Sequence, residues 1–366
     1  MASSRRVLRK WASSRRIVFA LQLIIDIYKN SLSLFYESYC LSSEILAKWR
    51  RNNFCIILFF LVILRGYVVT GISDVDSLAP AGKTRLCFLF GTNIGHSLSP
   101  EIHKKWFQSL NLNCVYLPFV SKNQNHFLLA AQGIVTADNF LGANVTHPFK
   151  SSVLNLNDVI QSETVKKIKS ANTIYKNTFN QLCLENTDII GFTKSIEQLI
   201  QPQTYFEMLV LGGGGAAVTA LFYGMMNSYC SQMLCVTRSP EKTIKNYDYL
   251  ECYEKLVVKN LNETVLNELI YNIRKQNKLT VIVNTLPLGI GEHAEGSYRD
   301  NNLFAEQLIT QLNTETTCYL DLVYFDTKPL KLAQKKLMRC LNGKTMLVAQ
   351  AQESFRLWTG VLPAKC

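Results

Sequence analysis

Residues 207–221 read EMLVLGGGGAAVTAL, which is an apolar strand, a run of four glycines and an alanine-rich helix. Glycines at Gly212, Gly214 and Gly215 let backbone amides, including that of Ala216, approach an anionic group at the start of the helix. Unpaired N–H groups and the helix dipole favour negative charge at this position. The segment therefore indicates a dinucleotide-binding turn, and a tight strand-to-helix turn without a ligand is the alternative.

The strand that follows ends in MLCVTRS at residues 233–239, where a dinucleotide-binding fold contacts the adenosine ribose. A site for NAD would carry Asp or Glu here to bind the 2′-hydroxyl. The chain instead has Thr237, Arg238 and Ser239, with Lys242 close by. A guanidinium group, two hydroxyls and a second cation suit a 2′-phosphate, so the sequence predicts NADP in preference to NAD. A solvated strand end is the alternative.

The alternation of strand and helix continues outward from this turn in both directions. Apolar runs of strand length lie at residues 86–90, 114–117, 140–143, 208–211, 233–236, 279–283 and 318–323. Amphipathic segments of helical length lie at residues 101–110, 127–134, 187–199 and 216–226. This order predicts an α/β chain with parallel sheets that are covered by helices on both faces.

Composition places the chain among folded proteins with more than one domain. The chain has 366 residues, of which 48% are hydrophobic and 18% charged, so disorder is excluded as its main state. The formal charge is +12, but residues 1–84 carry +7 of it and the remainder only +5. No basic run with interleaved aromatic residues occurs in the remainder, so a nucleic-acid groove is not supported.

Cysteine usage indicates a reducing compartment. The chain has 11 cysteines at irregular spacing, an odd number, and no CxxC pair. None of the five histidines is spaced from a cysteine as zinc ligands are, so no metal site is predicted. We therefore expect free thiols and a cytoplasmic enzyme, with a plastid-type organelle as an alternative.

Residues 1–84 form an extension with no part in the pattern described above. Residues 1–16 carry six cations and no acid, and residues 54–72 are an apolar run to Leu64 followed by Arg65 and a weaker apolar tail. Three interpretations remain open: a targeting leader that is removed, a membrane anchor, or sequence upstream of the true start. We favour a leader outside the folded unit, which a polar linker at residues 73–83 would join to it.

Three further segments combine polar residues with an apolar context. They read FGTNIGHSLSP at 90–100, GANVTHPFK at 142–150, and ANT at 171–173 followed by NTD at 186–188. Together with the glycine turn, NTLPLG at 284–289, DLVY at 321–324 and the segment 346–360, they resemble the motifs of the shikimate dehydrogenase family. The resemblance spans about residues 85–362 in the family's order. Residues 1–84 lie outside it.

The resemblance implies a metal-independent, reversible reduction of 3-dehydroshikimate to shikimate with NADPH, a step of aromatic amino-acid biosynthesis. Lys150 resembles the family's catalytic lysine, which would give a proton to the carbonyl oxygen and stabilise the developing alkoxide. Asp188 resembles the paired acid that orients the substrate hydroxyl and favours the lysine charge. As the residue that follows Asn186 and Thr187, Asp188 is also a candidate helix N-cap.

Other roles follow from the same matching of motifs. Ser97 and Ser99 would hydrogen-bond the substrate carboxylate, and Tyr324 would close over it. The ring hydroxyls would be bound by Thr146, Asn172 and Gln350. The backbone carbonyl of Gly343 would approach the nicotinamide.

The chain departs from the family pattern at several cofactor positions, including Val218 after the glycine turn and Thr237 at the strand end.

The expected architecture is a substrate domain at 85–190, completed by 346–366, and a Rossmann-like NADP domain at 191–345, with the active site in the cleft between them. A monomer or a homodimer would suit it. The alternatives are a quinate/shikimate dehydrogenase that uses NAD, a non-enzymatic sensor of a shikimate-type ligand, and a membrane-anchored enzyme.

Overall fold

The computed structural model describes residues 82–246, 254–286 and 295–364. The predicted leader, the apolar segment 54–72 and the end of the NTLPLG motif (287–289) lie outside these residues. Within the described ranges, no helix combines the length and apolar character that crossing a membrane requires.

The described chain forms two six-stranded sheets and ten α-helices. The strands are β1 (Arg85–Gly91), β2 (Cys114–Val120), β3 (Phe140–Val145), β4 (Val159–Gln161), β5 (Thr173–Lys176), β6 (Leu182–Glu185), β7 (Phe206–Leu211), β8 (Cys230–Thr237), β9 (Leu256–Asn260), β10 (Thr280–Asn284), β11 (Thr317–Asp321) and β12 (Arg339–Leu341). The helices are α1 (Ser99–Ser109), α2 (Gln124–Val135), α3 (Glu163–Ile168), α4 (Asp188–Leu199), α5 (Gly215–Met226), α6 (Pro240–Asn246), α7 (Glu263–Gln276), α8 (Glu295–Gln311), α9 (Lys328–Lys335) and α10 (Lys344–Thr359).

The second sheet confirms the predicted parallel α/β fold. Its order is β12-β11-β10-β7-β8-β9 and every pair is parallel, so the strand order reverses between β7 and β10. Met208 and Val210 of β7 face one hydrophobic core, and Leu209 and Leu211 face a second core. Helix α5 packs in the first core, and α7, α8 and α9 pack in the second. The sheet is therefore buried on both faces, as its continuous apolar strands predict.

The first sheet is mixed, and here the prediction of parallel sheets is wrong in part. Its order is β2-β1-β3-β5-β6-β4, and β5 runs antiparallel to both β3 and β6. The turn at residues 177–181 is too short for a crossover, so β5 and β6 form a hairpin. The Asn177 side chain closes this turn by accepting hydrogen bonds from the backbone of Phe179 and Gln181. The two strands have four residues each, which the apolar pattern did not detect.

Helix α10 packs against the first sheet although it follows the second sheet in the chain. Trp358 donates a hydrogen bond from Nε1 to the carbonyl of Ile174, at 3.0 Å. A Cβ atom at Gly142 would overlap the Trp358 ring, so this glycine allows the close approach. Gly191 of α4 allows a similar approach to the backbone of Met346. The C-terminal helix thus joins the first sheet and helix α4.

Seven cysteines among the described residues are free, and six of them are buried. Burial raises the pKa of Cys230 and of Cys235 to about 12, which keeps both thiols protonated. These side chains pack as small apolar residues in the second sheet.

His103 of α1 is a neutral histidine within an aromatic cluster. It is fully buried, and its ring stacks on Tyr116 with the ring centroids 4.5 Å apart. Trp358 lies 5.0 Å away on the same measure. In the described part of the chain, neither ring nitrogen has a hydrogen-bond partner. Burial lowers the pKa of His103 from 6.5 to about 3, so the folded protein excludes the imidazolium form.

We predict that His103 makes the fold sensitive to acid. The unfolded chain binds a proton at this histidine below about pH 6.5, whereas the folded chain does not until about pH 3. The free energy of unfolding therefore falls as the pH drops from about 6.5 towards 3. Above about pH 6.5 the buried neutral histidine no longer reduces it. His103→Leu should reduce the difference in unfolding free energy between about pH 7.5 and pH 5 by roughly 2 kcal/mol, as measured by urea titration.

The control is His126→Gln, because His126 is exposed at the start of α2. This variant should keep the parental difference between the two pH values. An unchanged pH dependence in His103→Leu would show that other groups cause the acid sensitivity.

Candidate active site

Lys150 and Asp188 form an ion pair at the edge of the first sheet. The distance from Lys150 Nζ to Asp188 Oδ2 is 2.5 Å. The Asp188 side chain is only 10% exposed, whereas the Lys150 side chain is 32% exposed and accessible to a ligand. The backbone carbonyl of Lys150 accepts a hydrogen bond from the N–H of Ala171, which ties the lysine loop to the start of β5. The structure therefore brings together the two residues predicted to be catalytic.

Asp188 is the first residue of α4, and Thr187 occupies the N-cap position. The sequence-based alternative that Asp188 caps the helix is therefore wrong. Its carboxylate instead accepts hydrogen bonds from Lys150 and from Asn172 Nδ2, the latter at 2.9 Å. The backbone N–H of Asp188 is satisfied by Asn186 Oδ1 at 3.2 Å. The first turn of a helix stabilises negative charge, so the position of Asp188 favours its carboxylate form beside Lys150.

The Asn172 side chain links three separate segments of the chain. Its Nδ2 lies within hydrogen-bonding distance of Asp188 Oδ1, Thr187 Oγ1 (3.0 Å) and Gln350 Oε1 (3.3 Å). Its Oδ1 accepts a hydrogen bond from the backbone N–H of Thr187 at 2.8 Å. The predicted residues Lys150, Asp188, Asn172 and Gln350 thus form one continuous polar chain.

A buried layer of polar side chains supports this chain, and the sequence analysis assigned it no role. Ser354 of α10 is fully buried, and its hydroxyl lies 2.9 Å from Asn144 Nδ2, 2.8 Å from Thr173 Oγ1 and 3.1 Å from Thr187 Oγ1. Ser354 follows Gln350 by four residues, so both lie on one face of the helix. That spacing was the signal from which Ser354 could have been found.

Ser97 and Ser99, the two serines predicted to bind a carboxylate, lie at the end of the loop after β1 and at the first position of α1. The backbone N–H of Ser99 donates to Ser97 Oγ at 3.3 Å, and Ser99 is buried. Tyr324, in the loop after β11, donates its hydroxyl to the carbonyl of His96 at 3.1 Å. This bond connects the two loops, because His96 directly precedes Ser97.

Thr146 lies between β3 and Lys150 and is half-buried. Its N–H donates to the carbonyl of Phe90 at 2.8 Å, and its side chain lies against Gly91. The structure thus places Thr146 on the loop that carries Lys150.

The glycine turn divides into two shaping positions and two open positions. Gly212 has φ +102°, which L side chains rarely adopt, and a Cβ atom at Gly213 would overlap the Thr243 hydroxyl. Gly214 caps α5 and Gly215 begins it, and a Cβ atom at either would have no atom within 4 Å. Both are exposed, as is Ala216. The helix N-terminus is therefore open to an anionic group.

The end of β8 lies beside this turn, since both Thr237 and Thr243 approach Gly213. Arg238, Ser239 and Lys242 are exposed there. Thr237 is only 7% exposed, and its hydroxyl accepts hydrogen bonds from the Ser239 N–H and from Thr243 Oγ1, both at 3.4 Å. Three of the four predicted residues are thus exposed, whereas Thr237 packs beneath the turn.

Gly343 forms the N-cap of α10. Its N–H donates to the carbonyl of Val323, and its own carbonyl accepts from the N–H of Leu347, both at 2.8 Å. A Cβ atom at this position would overlap the Leu322 carbonyl, so the glycine permits close packing on the loop after β11. The carbonyl oxygen thus accepts one bond inside the helix, and its predicted contact with nicotinamide stays a prediction.

Titratable groups suited to a metal do not cluster in the part of the chain that the structure describes. No group of three or more His, Cys, Asp or Glu side chains is arranged there to hold a metal ion.

Comparison with known proteins places the chain in a family. The profile of the shikimate dehydrogenase substrate binding domain matches residues 89–174, which include Ser97, Lys150 and Asn172. Shikimate dehydrogenase (NADP+) of Aquifex aeolicus is 33% identical over 278 residues, which cover 76% of this chain and 92% of that enzyme. The chain belongs to the shikimate dehydrogenase family.

Further relatives agree with this assignment. Shikimate dehydrogenase (NADP+) of Carboxydothermus hydrogenoformans is 31% identical over 285 residues, covering 77% of this chain and 94% of that enzyme. The crystal structure of shikimate dehydrogenase from Aquifex aeolicus is similar with a TM-score of 0.63 and 28% identity, covering 78% of this chain and 96% of that structure. Both the sequence and the two-domain fold are therefore those of the shikimate dehydrogenase family.

The difference between the crowded position Gly213 and the open position Gly215 predicts different effects of alanine at the two positions. Gly213→Ala should lower the thermal midpoint of unfolding, because the added methyl group overlaps Thr243 and overpacking costs about 1–3 kcal/mol. Differential scanning fluorimetry measures the shift.

The matched control is Gly215→Ala, because no atom lies near its added methyl group and alanine suits a helix. It should leave the midpoint close to the parental value. Equal shifts in the two variants would contradict the distinction between the shaping and open positions.

Proposed function

We propose that this protein is an NADP-dependent shikimate dehydrogenase that reversibly reduces 3-dehydroshikimate to shikimate in aromatic amino-acid biosynthesis. The observation that carries the proposal is the ion pair of Lys150 and Asp188, joined through Asn172 to Gln350. This arrangement supplies a proton donor and several hydrogen-bonding groups at one place. Named relatives with the same activity support it.

Lys150 acts on the oxygen of the reacting carbonyl. NADPH, when bound, would supply a hydride for the carbonyl carbon, and negative charge would then develop on the carbonyl oxygen. Lys150 Nζ stabilises this charge and gives the oxygen a proton, and in the reverse direction it takes a proton from the alcohol. Asp188 fixes the position of Nζ through the 2.5 Å contact. Because Asp188 is itself held by Asn172, the donor is positioned before the substrate binds.

Substrate orientation follows from the polar groups around this pair. Asn172 and Gln350 would bind ring hydroxyls beside Asp188, and Thr146 would do so from the Lys150 loop. Ser97 and Ser99 would bind the carboxylate, with Tyr324 closing over it. The hydrogen bond from Tyr324 to His96 supports this placement, since it keeps the tyrosine beside the serine loop.

The cofactor would bind along the carboxyl edge of the second sheet. Gly214, Gly215 and Ala216 fit a pyrophosphate, because they expose the start of α5 and leave space for close approach. Arg238 and Ser239, with Lys242, would bind the 2′-phosphate. Thr237 supports this site from below, and Gly212 and Gly213 shape the turn. The residues present therefore fit NADP.

The division into domains and the location of the enzyme stay proposals. We propose a substrate domain at 85–190 with 346–366, and a cofactor domain at 191–345. Support comes from the two separate sheets and from the packing of α10 on the first. Free buried thiols support a reducing compartment such as the cytoplasm.

Replacing Lys150 tests the chemistry. Lys150→Ala should lower kcat for shikimate oxidation by about 100-fold or more, because a positioned general acid–base typically contributes 100- to 10,000-fold. Shikimate binding, measured by calorimetry, should weaken far less, since Asn172 and Gln350 remain. Turnover is followed by absorbance of the reduced nicotinamide.

The matched control is Lys194→Ala, which removes an exposed lysine that forms an ion pair with Glu197 on α4. It should keep parental activity. A parental protein that binds shikimate without turnover would instead support a ligand sensor.

Replacing Arg238 tests the cofactor. Arg238→Ala should raise KM for NADP by about 10- to 100-fold, the range expected for a lost charge-assisted hydrogen bond. The KM for NAD, which has no 2′-phosphate, should change little. Steady-state kinetics with each cofactor measures both values.

Lys245→Ala is the control, because Lys245 is exposed on the same short helix as Lys242. It should leave both KM values unchanged. Faster turnover of quinate with NAD than of shikimate with NADP in the parental protein would overturn the proposed specificity.

A further inference from the structure

Asp321 is a buried carboxylate that the proposed mechanism does not use. It is the last residue of β11 and is fully buried. Its oxygens accept hydrogen bonds from Thr327 Oγ1 (2.6 Å), Tyr319 Oη (3.3 Å), Asn284 Nδ2 (3.4 Å) and the Val323 N–H (3.3 Å). Burial raises the pKa of Asp321 to about 6 in spite of these donors. A group that is costly to bury and surrounded by donors indicates a specific positioning task.

The carboxylate holds both ends of the loop at residues 322–326. At the start of the loop, Oδ1 accepts from the Val323 N–H. At its end, Oδ2 accepts from the hydroxyl of Thr327, which also caps α9 by accepting from the Leu330 N–H. One side chain therefore closes the loop from both sides.

This loop carries Tyr324 and lies against the start of α10. The Tyr324 hydroxyl reaches the His96 carbonyl, next to Ser97. The carbonyl of Val323 accepts the N–H of Gly343 at 2.8 Å. The 322–326 loop is thus fixed beside the segment that carries Ser97 and Ser99. The Asp321 side chain contacts both ends of the 322–326 loop.

We propose that Asp321 is a positioning residue that holds the 322–326 loop so that Tyr324 lies over the carboxylate of the substrate. The inference rests on the proposed function, because it names the substrate carboxylate as the group that Tyr324 meets. Without the Asp321 carboxylate, the Val323 N–H and the Thr327 hydroxyl lose their acceptors and Tyr324 is released. Lys150 and Asp188 lie on other elements, so the proton transfer is unaffected.

The consequence is a selective effect on affinity for the substrate. Asp321→Asn should raise KM for shikimate about tenfold, the equivalent of one hydrogen bond to a charged group, and leave kcat and KM for NADP within about twofold. Tyr324→Phe should have the same effect. If Asp321 acts through Tyr324, the double variant should be no worse than either single variant, because the two changes remove one interaction.

A second substrate gives a readout that a purely structural role would not move. Methyl shikimate lacks the negative charge, so the parental protein should discriminate against it. Asp321→Asn and Tyr324→Phe should both reduce the ratio of the KM for methyl shikimate to the KM for shikimate. The control is Asp326→Asn, because Asp326 is exposed on the same loop and makes only a 3.4 Å contact with Asn342 among the bonds described. It should keep the parental preference.

The outcomes separate the inference from the proposed function. Fully additive effects in the double variant, or equal increases in KM for shikimate and NADP together with a lower melting temperature, would overturn the positioning role. If Asp321→Asn does not fold, Thr327→Val removes the Oδ2 donor and should give the same selective increase. Calorimetry with shikimate needs no turnover: a parental protein without activity would overturn the proposed function, while unchanged shikimate affinity in the variants would overturn the role of Asp321.

Discussion

The side-chain amide of Asn172 is the interaction on which the site depends. It joins the carboxylate of Asp188, the hydroxyl of Thr187 and the amide of Gln350, which come from the start of α4 and from α10. A buried polar cluster is stable only when its members are paired. The Ser354 hydroxyl completes this pairing by hydrogen bonding to the hydroxyls of Thr173 and Thr187. The proposed catalytic pair is therefore held by a network that spans the hairpin and two helices.

The two sheets contribute different kinds of group to the proposed site. The first sheet and α10 supply side chains that donate and accept hydrogen bonds, as at Lys150 and Gln350. After β7 of the second sheet, Gly214 and Gly215 leave space at the start of α5, where we propose that backbone amides bind the pyrophosphate. The loop held by Asp321 connects the two, because Tyr324 reaches His96 across them. Apart from Tyr324, the groups proposed to orient the substrate thus lie with the first sheet and α10, and those proposed to bind the cofactor lie with the second sheet.

Several features were beyond the reach of sequence reasoning, each for a physical reason. The β5–β6 hairpin was missed because its strands are short, although it sets Asn172 beside Asp188. Thr237 was expected to contact a phosphate, but whether a strand-end hydroxyl points outward depends on the packing of Thr243 beneath Gly213. The periodic strands of the second sheet were predicted well, because burial on both faces leaves a continuous apolar signal.

The sequence by itself determined the local chemistry of this protein: the glycine turn, the polar motifs and the order of strands and helices. These depend on neighbouring residues and on backbone preferences that act over a few positions. Tertiary structure alone decided which of them meet. Lys150 contacts Asp188 across 38 residues, and Asn172 contacts Gln350 across 178, because sheet pairing and the return of α10 bring them together. The burial of Asp321 is likewise a property of the packed sheet and not of its sequence neighbours.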